Sequence, residues 1–318
     1  MSILVKKTTQ LSEAEQYGIL SLFNNIFQKD RTIEYFRNQF FNTVLGYSFH
    51  SVLYDDARIV GCFSFIPAYY RVEGRRYLAA LGVDLMIQKE YQGQGYFYDM
   101  FCGCINYMQN DSITFIILFP NDAAYPGYVQ SKLIHDLGSL TVYALPYRIG
   151  GIKPALKAFN WLSIFFVNSF VFFASLFNGK KAHHFPIEKD IETYNQTRYG
   201  QPDGGYNIEQ DKTGGFVYKI MDYEGVRAAF LIDIFVKSAE NFIIAIRHII
   251  KNHHREFDML LYVGYLPFKC HGLIKIPQRF SPKKFHFMGK ILQDDVINKD
   301  LFNVLSNWDV NLSNYDLL

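Results

Sequence analysis

A short glycine-rich turn, Gln92-Gly93-Gln94-Gly95, has the residue types and spacing to bind an anion. It lies between a predicted strand that ends at Ile87 and a predicted helix that starts near Tyr96. Backbone amides at the start of a helix are free to bind an anion, and the helix dipole favours negative charge there. Glycines permit positive φ angles and let the backbone approach a phosphate closely. The turn therefore predicts a phosphate-binding site, with an ordinary surface turn as the alternative.

The pattern on either side of the turn predicts the elements that hold it. Arg58–Val72 and Arg75–Ile87 are two long runs of strand-forming residues, an antiparallel pair with an interruption expected near Pro67. After the turn, Phe97–Met108 carries apolar residues at helical spacing. The continuous apolar run Ile113–Phe119 predicts a strand buried on both faces. Strand, crossover helix and neighbouring strand make a βαβ-type unit.

Further helices are predicted on both sides of this unit. Ser12 and Glu15 form a capping box at the start of the first helix. A second helix is expected over Thr32–Phe41. After the buried strand, a helix from Ala123 to His135 and a strand from Ser139 to Tyr147 are expected.

The turn and its flanks resemble the pyrophosphate-binding motif of the GNAT superfamily of acyl-CoA-dependent N-acyltransferases. That motif is a Gln or Arg, two residues, Gly, one residue, then Gly or Ala. Gln92–Phe97 matches it except at its last position, where Phe97 replaces the small residue. The lead-in Ile87–Gly93 is similar to the usual Val-x-Pro-Glu-Tyr-Arg-Gly. Downstream, the spacing of an Asn, an Ala and a Tyr that GNAT proteins often carry is kept at Asn121, Ala124 and Tyr128. The likeness covers about residues 10–147.

The resemblance implies that acetyl-CoA or another acyl-CoA is the co-substrate. The donor-binding residues that it implies are Leu85, Met86, Ile87, Gln92, Gly93, Gln94, Gly95, Tyr96, Phe97 and Asn121. It also implies that Tyr128, at the family's tyrosine position near the coenzyme sulfur, is the general acid, with Tyr125 as its rival. Simple packing is the alternative role for Tyr128.

Asp84 is a second catalytic candidate, because it lies on the strand that leads to the turn. Its carboxylate could accept the proton of an amine, directly or through water. A solvent-exposed strand residue without a catalytic role is the alternative.

Neither histidines nor cysteines predict a metal site. The pairs His183-His184 and His253-His254 lack the spacing of ligands on one helix face. Cys102 and Cys104 form a C-x-C pair rather than C-x-x-C. The cysteines, which are Cys62, Cys102, Cys104 and Cys270, are expected to be small buried apolar residues in a reducing compartment.

Composition limits the class of protein. The chain has 318 residues, 49% of them hydrophobic and 19% charged, which is enough apolar material for two buried cores. Its net charge of +2, without a long basic run, predicts no nucleic-acid-binding surface. The N-terminal residues contain no apolar run of signal-peptide length, so a cytoplasmic location is expected.

Residues 161–177, WLSIFFVNSFVFFASLF, form a strongly apolar segment. It is short for a bilayer span, which needs about 20 residues. A buried helix between domains and a contact with a membrane surface are the two interpretations.

These observations predict an α/β protein with a GNAT-like mixed central sheet flanked by helices, in tandem with a second GNAT-like domain. Residues 1–150 would form the acyl-CoA-binding domain and residues 151–189 an apolar helical connector. In residues 190–318, a hairpin, a helix and a strand follow in the same order as in residues 58–119, but without a glycine-rich turn. This range is therefore predicted to be a degenerate copy without the pyrophosphate loop.

The predicted function is direct transfer of an acetyl or other acyl group from acyl-CoA to the primary amine of a small molecule in a ternary complex. A transferase resembling the Fem family, which uses aminoacyl-tRNA, is an alternative that suits two GNAT-like domains. The intact coenzyme turn and the near-neutral charge count against it. A non-catalytic acyl-CoA sensor and a membrane-surface scaffold are further alternatives.

Overall fold

The computed structural model describes residues 1–200, 204–211, 214–269, 271–277, 279, 281, 283–293 and 296–315. The chain divides into two compact units, each assembled from separate stretches of sequence. The first contains residues 1–138, 186–203 and 286–307, and the second contains residues 139–185, 204–285 and 308–318. The sequence predicted continuous ranges instead, because the return of short later segments to the first unit leaves no mark in local pattern.

The strands, in chain order, are β1 (Ser2–Lys7), β2 (Phe49–Asp55), β3 (Arg58–Val72), β4 (Arg75–Ile87), β5 (Phe115–Leu118), β6 (His135–Pro146), β7 (Ile187–Lys189), β8 (Asn207–Asp211), β9 (Gly214–Tyr223), β10 (Val226–Ile234), β11 (Met259–Gly264), β12 (Ile274–Lys275) and β13 (Phe285–Ile291). The α-helices are α1 (Glu13–Phe27), α2 (Ile33–Phe41), α3 (Tyr96–Asn110), α4 (Tyr125–Ser131), α5 (Ile149–Ile152), α6 (Asn160–Leu176), α7 (Ile191–Tyr194), α8 (Ala239–His253) and α9 (Lys299–Phe302).

The first unit is built on a mixed sheet with the order β1-β2-β3-β4-β5-β13. β4 and β5 are parallel, and the other neighbouring pairs in this series are antiparallel. The crossover helix α3 buries Met100, Phe101, Cys104, Ile105 and Met108 in the core of this unit. The capping box of α1 is confirmed, since the Ser12 hydroxyl accepts a hydrogen bond from the Glu15 amide and the Glu15 carboxylate accepts one from the Ser12 amide.

Two local predictions in this unit are wrong. β3 is continuous through Pro67, because β2 pairs with β3 only up to Phe65 and β7 pairs with it only from Tyr70 onward. The missing amide of Pro67 therefore costs no ladder hydrogen bond on that edge. The helix expected over residues 123–135 is limited to α4, because Lys132 has a left-handed φ of 54° that ends it.

The second unit has the strand order β6-β11-β10-β9-β8, and β12 also pairs with β6. The hairpin β9–β10 leads into α8, and β11 then lies parallel to β10. This is the order of β3, β4, α3 and β5 in the first unit. The predicted cap of α8 is confirmed by a hydrogen bond from the Asn241 amide to the Ser238 hydroxyl.

In the second unit, the chain's own residues 308–315 occupy the space where β10 and β11 part. The register of the two strands ends at Phe230 and Leu261. Beyond it, Asn311 forms a bridge with Gly264 of β11, and its side-chain amide donates to Asp233 of β10 at 2.8 Å. This arrangement fills the gap with protein.

The apolar helix α6 belongs to the second unit and is not a buried connector. Val167 and Val171 face the core of that unit, but most of the helix surface is exposed. Pro154–Leu176 is the one helical stretch in the described residues that is long and apolar enough to cross a membrane, and 17% of its apolar window is buried. The expected buried helix is thus not what the structure contains.

Cys62 and Cys104 are buried as expected, and Cys102 is half-buried. Cys270 lies outside the described residues.

Candidate functional site

The glycine-rich turn has the backbone geometry of an anion-binding loop. Gly93 and Gly95 have left-handed φ angles of 75° and 87°, and Gly95 is the N-cap of α3. A Cβ atom built on either glycine would have no protein atom within 4 Å, so both face open space. Within the described residues, no acceptor takes a hydrogen bond from the backbone amides of residues 93–97. These amides and the N-terminus of α3 can therefore converge on a phosphate.

Two glutamines hold the turn in this shape. The side-chain amide of Gln92 donates to the carbonyl of Ile87 at 2.8 Å, and that of Gln94 donates to the carbonyl of Glu90 at 2.8 Å. Each bond links the turn to the segment that enters it. Both glutamine side chains thus hold the backbone of the turn, and the backbone amides remain available to bind an anion.

The strand before the turn runs past the end of β5. β4 and β5 pair over Ala79–Gly82 and Phe115–Leu118, while β4 continues to Ile87. Residues 83–87 extend past the end of β5, so the pairing with β5 does not reach them. Their backbone groups on that side can hydrogen-bond an extended ligand, as an added strand would. Of the predicted donor-binding residues on this stretch, Met86 is buried, and Leu85 and Ile87 are half-buried.

A β-bulge within the same stretch places Asp84. Cys62 pairs with Met86 and Ser64 with Val83, so two residues of β4 stand opposite Phe63 alone. Asp84 has a left-handed φ of 52°, a conformation that Asp adopts more readily than most residues. The side chain is half-buried, and the amide of Gln39 on α2 donates to its Oδ2 at 3.4 Å. The bulge therefore turns this carboxylate toward α2 and away from a simple solvent-facing position.

Tyr128 lies against the first turn of α3. Its ring packs edge-on to Phe97 with centroids 4.9 Å apart, and it also contacts Phe101. The side chain is buried, which raises the pKa of its phenol well above the usual value. Among the described residues, the hydroxyl has no hydrogen-bond partner. Phe97, the residue that departs from the family motif, thus packs against Tyr128 beside the loop.

Tyr96 and Asn121 have less specific surroundings. Tyr96 is half-buried at the start of α3. Asn121 is exposed just beyond β5, and its side-chain oxygen accepts a hydrogen bond from the Ala124 amide at 2.9 Å. This bond fixes the turn into α4, which carries Tyr128.

Sequence reasoning missed a polar cluster on the same unit. His286 of β13 lies 3.1 Å from Asp122 between Nε2 and Oδ1, and its ring stacks on Tyr125 at 3.6 Å between centroids. The Tyr125 hydroxyl donates to Asp136, and this hydrogen bond raises the pKa of the phenol. His286 is 164 residues from Asp122, so no local spacing could have revealed the contact. The engaged hydroxyl makes Tyr125 a weaker candidate for proton donation than Tyr128.

No metal centre is evident in the described part of the chain, where no group of three or more His, Cys, Asp or Glu side chains could hold an ion.

A family of known proteins matches this region. The model of an acetyltransferase (GNAT) domain matches residues 7–131, a range that contains the turn, Asp84, Asn121 and Tyr128. No curated protein matches the sequence.

Solved structures resemble the chain over most of its length. A conserved protein from Enterococcus faecalis V583, described as a probable N-acyltransferase, has a TM-score of 0.57 at 14% identity over 92% of this chain and 73% of its own. A GCN5-related N-acetyltransferase from Anabaena variabilis ATCC 29413 has a TM-score of 0.57 at 13% identity, over 91% and 73%. Eis1 from Mycobacterium abscessus has a TM-score of 0.55 at 10% identity, over 92% and 74%. At these identities the likeness shows the fold.

Proposed function

We propose that this chain, whose residues 7–131 match the model of an acetyltransferase (GNAT) domain, transfers an acetyl or other acyl group from acyl-CoA to a primary amine. The observation that carries the proposal is the loop of residues 92–97, whose two left-handed glycines and unpaired amides lie between the free end of β4 and the N-terminus of α3. This arrangement suits a pyrophosphate.

The donor would lie along the first unit in a defined direction. Its pyrophosphate would bind the amides of residues 93–97, and its pantetheine arm would run along the part of β4 that extends past β5, from Ile87 toward Asp84. The thioester carbonyl would then accept a hydrogen bond from a backbone amide of that part, which stabilises the tetrahedral oxyanion. A separate amine would bind beside it, and the reaction would proceed in a ternary complex.

Two side chains would move protons in this reaction. Asp84, turned toward α2 by the bulge, would accept the proton of the attacking amine. Tyr128 would donate a proton to the departing thiolate. A tyrosine phenol carries its proton at neutral pH, and burial raises the pKa of this one further, so the proton is present when the thiolate forms. Phe97 and Phe101 would limit the movement of the Tyr128 ring.

The proposal confines donor binding to the first unit. In the second unit, residues 308–315 already contact both β10 and β11 where these strands part. No left-handed glycine pair occurs between β10 and α8, both of which are described. The second unit therefore has neither the glycine loop nor the open space between strands that a second acyl-CoA would need.

Donor binding can be tested by thermal unfolding of the full chain with acetyl-CoA and with longer acyl-CoAs. At a ligand concentration 100 times the Kd, the native state gains about 2.7 kcal/mol. A rise in Tm with at least one acyl-CoA is expected. No rise with any of them would refute the proposal, whereas stabilisation without thiol release across a broad panel of amines would indicate a non-catalytic acyl-CoA sensor.

The aminoacyl-tRNA alternative has a different signature. Salt-dependent binding of tRNA, together with no effect of acyl-CoA, would favour it. The net charge of +2 and the open glycine loop favour acyl-CoA.

The proton-transfer roles can be tested with matched variants. Tyr128→Phe and Asp84→Asn should each lower kcat by about 10²-fold or more, with little change in the Kd of acyl-CoA. Tyr17→Phe, at an exposed tyrosine of α1, is the control for the first variant. Asp56→Asn is the control for the second, since Asp56 has the same φ of 52° in an exposed turn. Variants with kcat equal to that of their controls would remove these residues from the mechanism.

A further inference from the structure

The helix α6 exposes a broad aromatic surface. One side of the helix is buried in the second unit, at three positions spaced four residues apart: Ser163, Val167 and Val171. On the remaining surface and at the C-cap lie aromatic side chains that are more than half exposed, which are Trp161, Phe165, Phe166, Phe172, Phe173 and the C-cap Phe177. Trp161 and Phe165 are each 67% exposed and Phe177 is 73% exposed. An exposed apolar area of this kind marks a binding surface.

The sequence segment that contains this helix carries charges of one sign. Between Arg148 and Glu188 the sequence contains Lys153, Lys157, Lys180 and Lys181, and no Asp or Glu. All four lysines are exposed, two before α6 and two after it. Lys180 has a distant ion pair with Glu240, 3.8 Å between Nζ and Oε1.

The opposite side of α6 is attached to the second unit along its length. Val167 and Val171 are part of the core that α8 and the sheet of this unit form. Near the C-terminal end, the guanidinium of Arg247 on α8 donates to the hydroxyl of Ser175 at 2.7 Å. A membrane-spanning orientation would require α6 to leave this core, so the helix can meet a membrane only with its exposed side.

We propose that α6 docks the protein on an anionic phospholipid bilayer, with the helix lying in the plane of the surface. The exposed aromatic side chains would enter the boundary between headgroups and acyl chains. The lysines at both ends of the helix would contact anionic headgroups.

The charge pattern favours a bilayer over a second copy of the chain. A twofold interface places the same surface patch against itself. Here that would bring lysines against lysines at both ends of α6, with no acidic residue of residues 149–187 to compensate. An anionic surface meets all four cations favourably.

Trp161 provides a direct reporter of docking. The chain has two tryptophans, and the other, Trp308, is 1% exposed. Adding vesicles of phosphatidylcholine with 30% phosphatidylglycerol, about a third anionic lipid, should shift the Trp161 emission to shorter wavelength and sediment the full chain. Pure phosphatidylcholine vesicles should bind at least about tenfold less, and added salt should weaken binding to the anionic ones.

Variants separate the apolar and ionic parts of the surface. Phe165→Gln, Phe172→Gln and Phe173→Gln together keep the reporter and should lower the vesicle partition coefficient at least about tenfold. Replacing the four lysines by Gln should abolish the preference for anionic vesicles.

A matched control replaces three exposed apolar residues of the first unit, Leu4, Tyr17 and Val304, by Gln. It should bind vesicles like the unmodified chain. Absence of binding by the unmodified chain would overturn the proposal, as would equal loss in the control. A dimer in sedimentation velocity that the triple Phe variant converts to monomer, without vesicle binding, would assign this surface to a second copy instead.

Discussion

Substitution of the loop glycines separates backbone strain from ligand binding. Gly95 has a φ of 87°, and Gly74, in the β3–β4 turn at the other end of β4, has a φ of 80°. A Cβ on either residue meets no protein atom within 4 Å, so neither substitution causes a clash. The left-handed conformation costs an L-residue about 1–2 kcal/mol. Loss of unfolded-state freedom on replacing Gly by Ala returns about 0.4–1 kcal/mol. Gly95→Ala and Gly74→Ala should therefore each lower the free energy of unfolding by about 1 kcal/mol.

Of these two substitutions, only Gly95→Ala should weaken the binding of acetyl-CoA. Because the space outside Gly95 is where the pyrophosphate is proposed to lie, a methyl group there should weaken acetyl-CoA binding at least about tenfold, or 1.4 kcal/mol. Calorimetric titration gives the Kd, and denaturant unfolding gives the stability. Gly93→Ala, with a φ of 75°, should behave like Gly95→Ala. The reasoning fails if both loop variants lose stability like Gly74→Ala but bind acetyl-CoA as tightly as the unmodified chain.

Two further predictions concern stability. Lys237 is buried and ion-paired with the buried Asp233 and with Asp309. Burial by itself would lower its pKa, but the two carboxylates raise it. Lys237→Met should lower the free energy of unfolding by about 3–5 kcal/mol in denaturant unfolding, because it leaves buried carboxylates uncompensated. A loss below about 1 kcal/mol would contradict this account. In the first unit, burial lowers the pKa of His50 to about 3 from the usual 6.5, so the unfolded chain binds one more proton between these pH values. The contribution of His50 to the free energy of unfolding should be fully present above pH 6.5 and should fall by about 1.4 kcal/mol per pH unit below it. Unfolding of His50→Gln at matched pH values should lack this slope.

Local pattern predicted the part of the candidate site that is continuous in sequence. The strand-forming runs of β3 and β4, the left-handed glycines of the turn and the apolar stripe of α3 all arise from interactions between residues near one another along the chain. Glycine at a position that needs a positive φ is a local requirement, and it can be read from residue type and spacing. Tyr128 came from a resemblance rather than from such a pattern.

The contacts between residues on different strands of the sheet could not be predicted from local pattern. The bulge that turns Asp84 toward Gln39 depends on the register of β4 against β3. His286 reaches Asp122 because β13 pairs with β5 from far along the chain. Pairings of this length are set by packing of the whole unit and leave no periodic signal.

The glycine turn and its position between strand and helix were thus determined by the sequence alone, because backbone conformation there follows from the absence of a side chain. Only the tertiary structure decided that Phe97 packs against Tyr128 beside the turn, and that α6 keeps its aromatic surface exposed. A run of apolar residues predicts burial, but it does not show which surface covers those residues. For α6 one side is covered by its own unit, and the other is left for the proposed membrane surface.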